Sequence, residues 1–152
     1  MAQPALNIAC YFVNRAFSEK VTMTNLKLQK MIYIANGIYI AKHKEPLIIE
    51  RVEVWAYGPV IKPVYDCFKR FGADNINKKT VECDIIFTNY PNAKELEILE
   101  ATWDLCKELN GIQLSNWTHR PESPWTISMN NKKSFIPDDL LGTYFDQFLK
   151  KN

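Results

Sequence analysis

The stretch over residues 55–65, WAYGPVIKPVY, constrains the fold more than any other part of the chain. Gly58 allows backbone angles that other residues avoid, while Pro59 fixes φ and removes an amide donor. Pro63 suits the first turn of a helix, where the backbone amide has no helical partner. The pattern predicts that a strand ends, the chain turns sharply and a helix begins, and we expect the chain to be organised around this corner. The residues leave open whether the corner is a hinge of the core or presents aromatic rings such as Trp55 to a partner.

Residues 24–42 predict the longest helix. Apolar residues mark several sides of this segment rather than one, so we expect the helix to be central and largely buried. Gly37 lies within it, and we expect this glycine to let another element approach closely. Lys27 and Lys30 lie near its start, where cations oppose the helix dipole by a few tenths of a kcal/mol. The two lysines are solvated, paired with a carboxylate, or kept for function, and the sequence leaves these alternatives open.

The rest of the chain predicts a mainly helical domain. Further helices are expected over residues 4–18, 62–71, 94–109 and 112–119, and a last helix opens at Pro137. Residues 47–57 are expected to be extended, and the strand near residues 51–56 is expected to pair with a short strand over residues 81–87. Residues 118–125, THRPESPW, predict a rigid loop, and residues 126–134 are polar. The fold class is therefore mainly α: a compact single domain over residues 1–152, with about five or six helices and a minor two-stranded β element.

The composition is typical of a globular protein. The chain has 152 residues, of which 47% are hydrophobic and 24% charged. A net charge of +2, from 19 basic and 17 acidic residues, is too balanced to indicate nucleic acid or an anionic membrane as partner. The N-terminal segment lacks the pattern of a signal peptide, and no apolar run is long enough for a membrane span. We therefore expect a cytoplasmic protein.

The cysteines give no sign of a metal site. Cys10, Cys67, Cys83 and Cys106 are widely separated, without a CxxC pair or a histidine at zinc-finger spacing. Each has apolar neighbours, so the sequence predicts free buried thiols, in agreement with a reducing compartment. The phosphate-binding patterns GxxxxGK[ST] and GxGxxG are both missing from the sequence. We therefore expect neither a metal nor a cofactor.

A catalytic site would have to use His43 or His119, or no histidine at all. His43 is typical of a surface cation near the end of a helix. His119 lies in a segment rich in proline and tryptophan, where a structural or interface role is favoured. A Cys–His pair with Cys106 is conceivable, but no thiolate or nucleophile motif surrounds any cysteine. We therefore predict that the chain is not an enzyme and has no catalytic residue.

DNA binding is the main alternative, because small helical domains often carry helix-turn-helix units. The recognition helix would be residues 24–42 or residues 62–71. The first is too apolar, and the second offers only Lys62, Lys69 and Arg70, which form a thin basic surface. A DNA-binding transcriptional regulator of phage or mobile-element origin therefore stays as the alternative function, although nucleic acid is not the expected partner.

Three segments carry a more specific signal. They are TNLKLQKMIYIANGIYIA over residues 24–41, VEVWAYGPVIKPVYDCF over residues 52–68 and LSNWTHRPESPW over residues 114–125. In this order they resemble the Panacea domain, a SocA-like, phage-associated family found in prokaryotic toxin–antitoxin pairs. The likeness extends from about residue 5 to residue 148. One departure is Val54, where the family usually has alanine before the tryptophan.

The resemblance implies an antitoxin that neutralises a cognate toxin by direct protein contact. In SocA-like members it can also imply that the toxin is delivered to a ClpXP-type protease, with the antitoxin as adaptor. The family motifs, and with them the candidate partner-binding residues, are Lys27, Gln29, Lys30, Tyr33, Trp55, Gly58, Pro59, Val60, Tyr65, Thr118, His119, Pro124 and Trp125. A motif shared by antitoxins of different toxins is expected mainly to hold the scaffold. We therefore expect the polar members Lys27, Lys30 and His119 to serve function, and the tryptophans mainly to form core.

Overall fold

The computed structural model describes residues 2–77, 83 and 90–149. These residues form seven α-helices and one small antiparallel sheet. The helices are α1 (Ala5–Glu19), α2 (Asn25–His43), α3 (Lys62–Phe68), α4 (Ala93–Cys106), α5 (Gly111–Thr118), α6 (Pro124–Asn130) and α7 (Asp138–Leu149). A 3-10 turn, Lys69–Phe71, extends α3. The strands are β1 (Val52–Trp55), β2 (Gly58–Val60) and β3 (Phe135–Ile136). The predicted mainly α class is confirmed, with more helices in these residues than the five or six expected.

Helix α2 is the axis of the fold. Helices α1, α3, α4, α5 and α7 and strand β2 all contact it. Its apolar residues are buried on every side, as Leu28, Met31 and Ile32 show, and the Thr24 side chain caps its start by accepting a hydrogen bond from the Lys27 amide at 3.1 Å. The prediction of a central, buried helix is confirmed. The corner at residues 55–65, which we expected to organise the chain, packs on this helix instead.

Gly37 lets α7 lie directly on α2. A methyl group at this position would lie 2.2 Å from the nearest ring carbon of Phe145, far inside van der Waals contact. The same ring meets the Tyr33 ring edge-on, with 5.7 Å between centroids. The expected close approach at Gly37 is therefore confirmed, because any larger residue would push the two helices apart.

The sheet differs from the predicted two-stranded element. It has three antiparallel strands in the order β2-β1-β3, with Trp55 paired to Gly58 and Val52 paired to Ile136. Strand β2 lies within the segment that was predicted to be a sharp corner, residues 55–65. Pro59 is tolerated there because β2 is an edge strand, where a missing amide interrupts no central ladder. The strand expected over residues 81–87 lies outside the described residues, apart from Cys83.

The prediction of four free thiols is wrong. Cys10 on α1 and Cys83 form a disulfide, with their Cα atoms 5.2 Å apart. The two cysteines are 73 residues apart in the sequence, so no local spacing marks the pair. Cys106 is a buried thiol. The disulfide removes the argument for a reducing compartment that four free thiols had provided.

The loop expected over residues 118–125 is shorter than predicted, because α6 begins at Pro124. The Ser123 hydroxyl accepts a hydrogen bond from the Thr126 amide at 3.2 Å and caps the helix. Pro124 occupies the first turn, where proline is favoured. The Ser-Pro pair is thus a helix start signal within a segment that was predicted to be loop.

Candidate functional site

The hairpin between β1 and β2 presents three backbone carbonyl groups to three different helices. They belong to residues 55, 57 and 59. Trp125 of α6 donates its indole N–H to the first at 2.9 Å, and Ser115 of α5 donates its hydroxyl to the second at 2.8 Å. Lys30 of α2 donates from Nζ to the third at 3.3 Å. We call this set of donors and carbonyls the corner joint, because it holds the hairpin from three sides.

Gln29 continues the attachment along α2. Its side-chain oxygen accepts a hydrogen bond from the Ile61 amide at 2.8 Å, and its amide group donates to Asn25 Oδ1 at 3.0 Å. Asn25 in turn donates to the Tyr65 carbonyl at 3.3 Å. The polar residues at the start of α2 therefore bind the main chain from the hairpin to α3. The buried side-chain amides of Gln29 and Asn25 are hydrogen-bonded, as buried polar groups usually are.

Gly58 is the point where the three motifs touch. Its φ of +119° lies in the region that favours glycine. A methyl group at this position would lie 3.0 Å from Lys30 Cε and 3.2 Å from the Thr118 hydroxyl oxygen. That hydroxyl donates to the Ser115 carbonyl at 2.7 Å. A larger residue would therefore strain the backbone and crowd α2 and α5 at once.

Lys27 and Lys30 are both buried, and the described residues offer neither of them a carboxylate partner. Lys27 donates from Nζ to the Lys107 carbonyl at 2.8 Å, at the end of α4. Burial lowers the pKa of Lys30 to about 8. Burial also lowers the pKa of Lys27, against a smaller opposing effect from the Cys106 thiol. Among the described residues neither a solvated nor a carboxylate-paired ammonium group is found, since both lysines bind main-chain carbonyls instead.

His119 stacks on Trp125, with 4.0 Å between ring centroids and 22° between the planes. Its Nε2 atom is buried, with no hydrogen-bond partner among the described residues. Burial, and secondly the charge of Lys30, lowers the pKa of His119. Cys106 lies near Lys27, and burial raises the pKa of its thiol to about 11. This shift is the reverse of thiolate activation, so the pKa of Cys106 gives no support to a Cys106–His119 pair.

The remaining motif residues pack around the joint. The Tyr33 hydroxyl is buried near the backbone of Trp125, without a hydrogen bond of normal geometry to the described residues, and burial raises its pKa. Tyr65 contacts the Trp55 ring at 5.0 Å between centroids. Val60 is buried, whereas Trp55 is only half-buried. The predicted motif residues of all three segments are therefore brought together, mostly in the interior.

The shared family pattern coincides with this joint. The model of the family described as "Antitoxin SocA-like, Panacea domain" matches residues 28–126, which include every donor and carbonyl of the corner joint. The chain belongs to this family. Among the curated relatives, Antitoxin SocA of Caulobacter vibrioides (strain NA1000 / CB15N) is 27% identical over 129 residues, which cover 81% of this chain and 69% of that protein. No solved structure matches the chain.

Two parts of this Panacea-domain site were not predicted from the residues. Ser115 lies within the third motif, yet its bond to the hairpin has no local signature in the sequence. Asn25 precedes Gln29 by four positions, and this spacing places two polar side chains on one side of a helix. That spacing is a signal by which Asn25 could have been found.

The surface of α3 gives no specific support to DNA binding. Lys62 and Lys69 both direct their Nζ atoms to Asp66, at 2.7 Å and 3.5 Å. The Arg70 guanidinium lies over the Phe71 ring, 5.2 Å from its centroid. The thin basic surface expected from the sequence is therefore partly neutralised within the helix itself.

Metal ligands do not gather in the part of the chain that the structure describes. Within residues 2–77, 83 and 90–149, no three His, Cys, Asp or Glu side chains are grouped so that they could hold a metal ion. None of the described helices has the length and apolar character needed to span a bilayer.

Proposed function

We propose that the chain is an antitoxin that neutralises a cognate toxin by direct protein–protein binding. The observation that carries this proposal is the family match over residues 28–126 together with the 27% identity to Antitoxin SocA. Family membership favours a binding role over catalysis. The geometry supports the same role, because the motif histidine stacks on an indole.

In this proposal the family motifs maintain the scaffold, and the toxin binds a surface outside the corner joint. Lys27 and Lys30 are buried and bound to main-chain carbonyls, so a partner could reach them only after local unfolding. We therefore assign both lysines a structural role, although the sequence had suggested that they serve function. A rigid scaffold suits a binding protein, because less conformational entropy is lost when the complex forms.

The test is co-expression with the product of the gene next to this one. We expect that product to arrest growth when it is expressed alone, and the chain to restore growth and to co-purify with it. An empty vector and the chain alone are the controls. A neighbouring product that is harmless, or a toxic one that the chain neither binds nor neutralises, contradicts the antitoxin proposal.

A finer form of the proposal adds delivery of the bound toxin to a ClpXP-type protease, with both partners in the cytoplasm. The half-life of the toxin in cells, with and without the protease, separates delivery from simple blocking. Delivery predicts a short half-life that needs both the chain and the protease. Neutralisation that is unchanged in cells without the protease contradicts delivery and leaves direct blocking.

A further inference from the structure

An open apolar groove lies where α2, α4, α5 and α7 meet. Its volume is about 710 Å³. Its apolar lining comes from all four of these parts of the fold: Ile34, Ile38, Leu105, Leu109, Trp117 and Phe148. Its lining includes none of the candidate partner-binding residues named from the family motifs, although Ile34, Ile38 and Trp117 lie within the motif segments. The groove lies on the other half of α2 from Lys27 and Lys30. We call it the apolar groove.

Apolar side chains remain exposed along one side of the apolar groove. Leu105 is 64% exposed and Leu109 is 38% exposed. Ile112 is 67% exposed and stands four residues before Asn116, another lining residue, so it adjoins the same face of α5. Single exposed apolar residues are ordinary, but a group of them beside a groove marks a binding surface. The apolar surface also continues beyond the cavity. A small molecule enclosed in the cavity would leave this outer surface uncovered.

Arg120 supplies a cation at the rim of the apolar groove. It is exposed, and its guanidinium lies 5.7 Å from the centroid of the Trp117 ring. Within the described part of the chain it forms no ion pair with a carboxylate. Its side chain interacts with the Tyr144 hydroxyl, a neutral group that leaves the positive charge available to a partner. Arginine and tryptophan are the residue types that most often dominate binding energy at interfaces. A partner with a carboxylate next to an apolar ridge would therefore complement this surface.

The secondary structure of the partner segment follows from the backbone. The described lining of the apolar groove comes from helices and from the residues next to them, and it includes no residue of β1, β2 or β3. A segment lying there has no described strand edge to pair with, which favours a helix, whose backbone hydrogen bonds are internal. A second copy of this chain is the weaker candidate, because a symmetric contact would place the same surface against itself, and the described groove lining has no carboxylate to meet Arg120.

We propose that the apolar groove binds an amphipathic helix of the toxin, with apolar residues at i, i+3 or i+4, and i+7 in the groove and a carboxylate against Arg120. This inference rests on the proposed antitoxin function. It names a partner surface that lies outside the corner joint. The occupant is identified by its chemistry, which is one apolar face with an acidic flank.

The first experiment needs no toxin. Two labelled model helices carry the same leucine face, one with glutamates and the other with lysines along its flank. Fluorescence anisotropy with the full chain should show the acidic helix binding about tenfold more tightly, because a carboxylate forms charge-assisted bonds with Arg120. The variant Arg120→Glu should invert this preference, and Leu105→Glu should weaken both helices. Equal binding of the two helices, or a preference that survives Arg120→Glu, overturns the proposal.

The second experiment uses the neighbouring gene product that proves toxic. Leu105→Glu and Arg120→Glu should lose co-purification and growth rescue, while Ile49→Glu, a change at a residue 63% exposed elsewhere on the surface, should keep both. Circular dichroism of each variant confirms that it is folded. If the wild-type chain rescues and both groove variants rescue equally, the groove assignment is overturned while the antitoxin function stands.

The remaining outcomes are also decisive. If the wild-type chain neutralises no neighbouring product, the antitoxin proposal fails, and the model helices alone decide what the groove binds. If sedimentation shows a dimer of the wild-type chain that Leu105→Glu dissociates, the groove is a contact between copies, and the toxin-helix proposal is overturned.

Discussion

The corner joint and the apolar groove lie on two halves of the same helix and differ in almost every physical respect. The joint is buried and polar, and its side-chain donors bind main-chain carbonyls. The groove is open and apolar, with Arg120 as a cation at its rim. The candidate residues named from the family motifs, such as Gly58, Thr118 and Trp125, lie at or near the joint, and none of them lines the groove. The comparison teaches that a shared motif can mark the part of a domain that holds it together, a part distinct from the surface that we propose for the partner.

The energetics of the two regions explain the difference. A buried donor or acceptor that loses its partner costs about 1 to 3 kcal/mol, so few substitutions suit the joint. An exposed apolar side chain can change with little effect on folding, and usually shifts stability by less than about 0.5 kcal/mol. Exposed apolar surfaces can therefore vary between proteins that bind different partners. Buried polar groups such as those of the joint tolerate few substitutions.

The largest expected loss of stability comes from a substitution of Gln29. Gln29→Leu should lower the free energy of unfolding by about 3 kcal/mol, because the Ile61 amide and Asn25 Oδ1 both lose their partner in the interior. Chemical denaturation measures this value. The matched control is Gln147→Leu on the exposed side of α7, which should change stability by less than about 0.5 kcal/mol. Equal losses in the two variants would show that the joint is not the tightly fastened region described above.

The second effect is a pH dependence that comes from Lys30. Its folded pKa of about 8 lies below the ordinary 10.5, so the unfolded chain binds the proton more tightly between these values. Below pH 8 the buried Lys30 ammonium group therefore lowers the stability of the folded state by its full desolvation free energy. This destabilisation decreases as the pH rises towards 10.5, because the folded protein loses the proton first. Relative to Lys30→Met, the wild-type chain should gain about 2 to 3 kcal/mol of stability across this range.

The measurement is the free energy of unfolding of both proteins over a series of pH values. Lys94→Met, at an exposed position on α4, is the control, and its difference from the wild type should stay flat. If the curves for Lys30→Met and the wild type run parallel, the Lys30 ammonium group is not held in a desolvated site.

The third expected effect is a smaller loss of stability, which differs between two tryptophan substitutions. Trp125→Phe should cost about 1 kcal/mol, since the carbonyl of Trp55 loses the indole N–H at 2.9 Å. Trp117→Phe should cost less, because Trp117 meets its neighbours by ring contacts with Tyr144, Phe145 and Phe148, which phenylalanine can largely replace. Thermal unfolding of both variants provides the comparison. A larger loss at Trp117 would reverse the expected ranking of the two regions.

The smallest effect on folding is expected in the apolar groove. Leu105→Glu should change the free energy of unfolding by less than about 0.5 kcal/mol, because the side chain is already exposed. The same change should abolish neutralisation of the toxin in the growth assay. A loss of stability comparable to that of Gln29→Leu would mean that the groove is part of the core and not a surface reserved for a partner.

Local patterns predicted the helices well and the sheet poorly. The many-sided apolar pattern of residues 24–42 was enough to place α2 at the centre, and Gly37 was enough to predict a close contact. Helix α6 was missed, although Ser123 and Pro124 form a start signal. The short strand β3 was missed because two residues show no alternation, and it exists only through its pairing with β1.

The sequence by itself determined the positions of most helices, the central place of α2 and the family resemblance, since each depends on residues close together in the chain. Only the tertiary structure decided that Lys27 and Lys30 are buried on main-chain carbonyls, that Cys10 bonds to Cys83, and that four parts of the fold leave an apolar groove between them. The physical reason is the distance along the chain. Periodicity and capping act over a few residues, whereas the Trp125 bond to the hairpin spans 70 residues and forms only when the helices have packed.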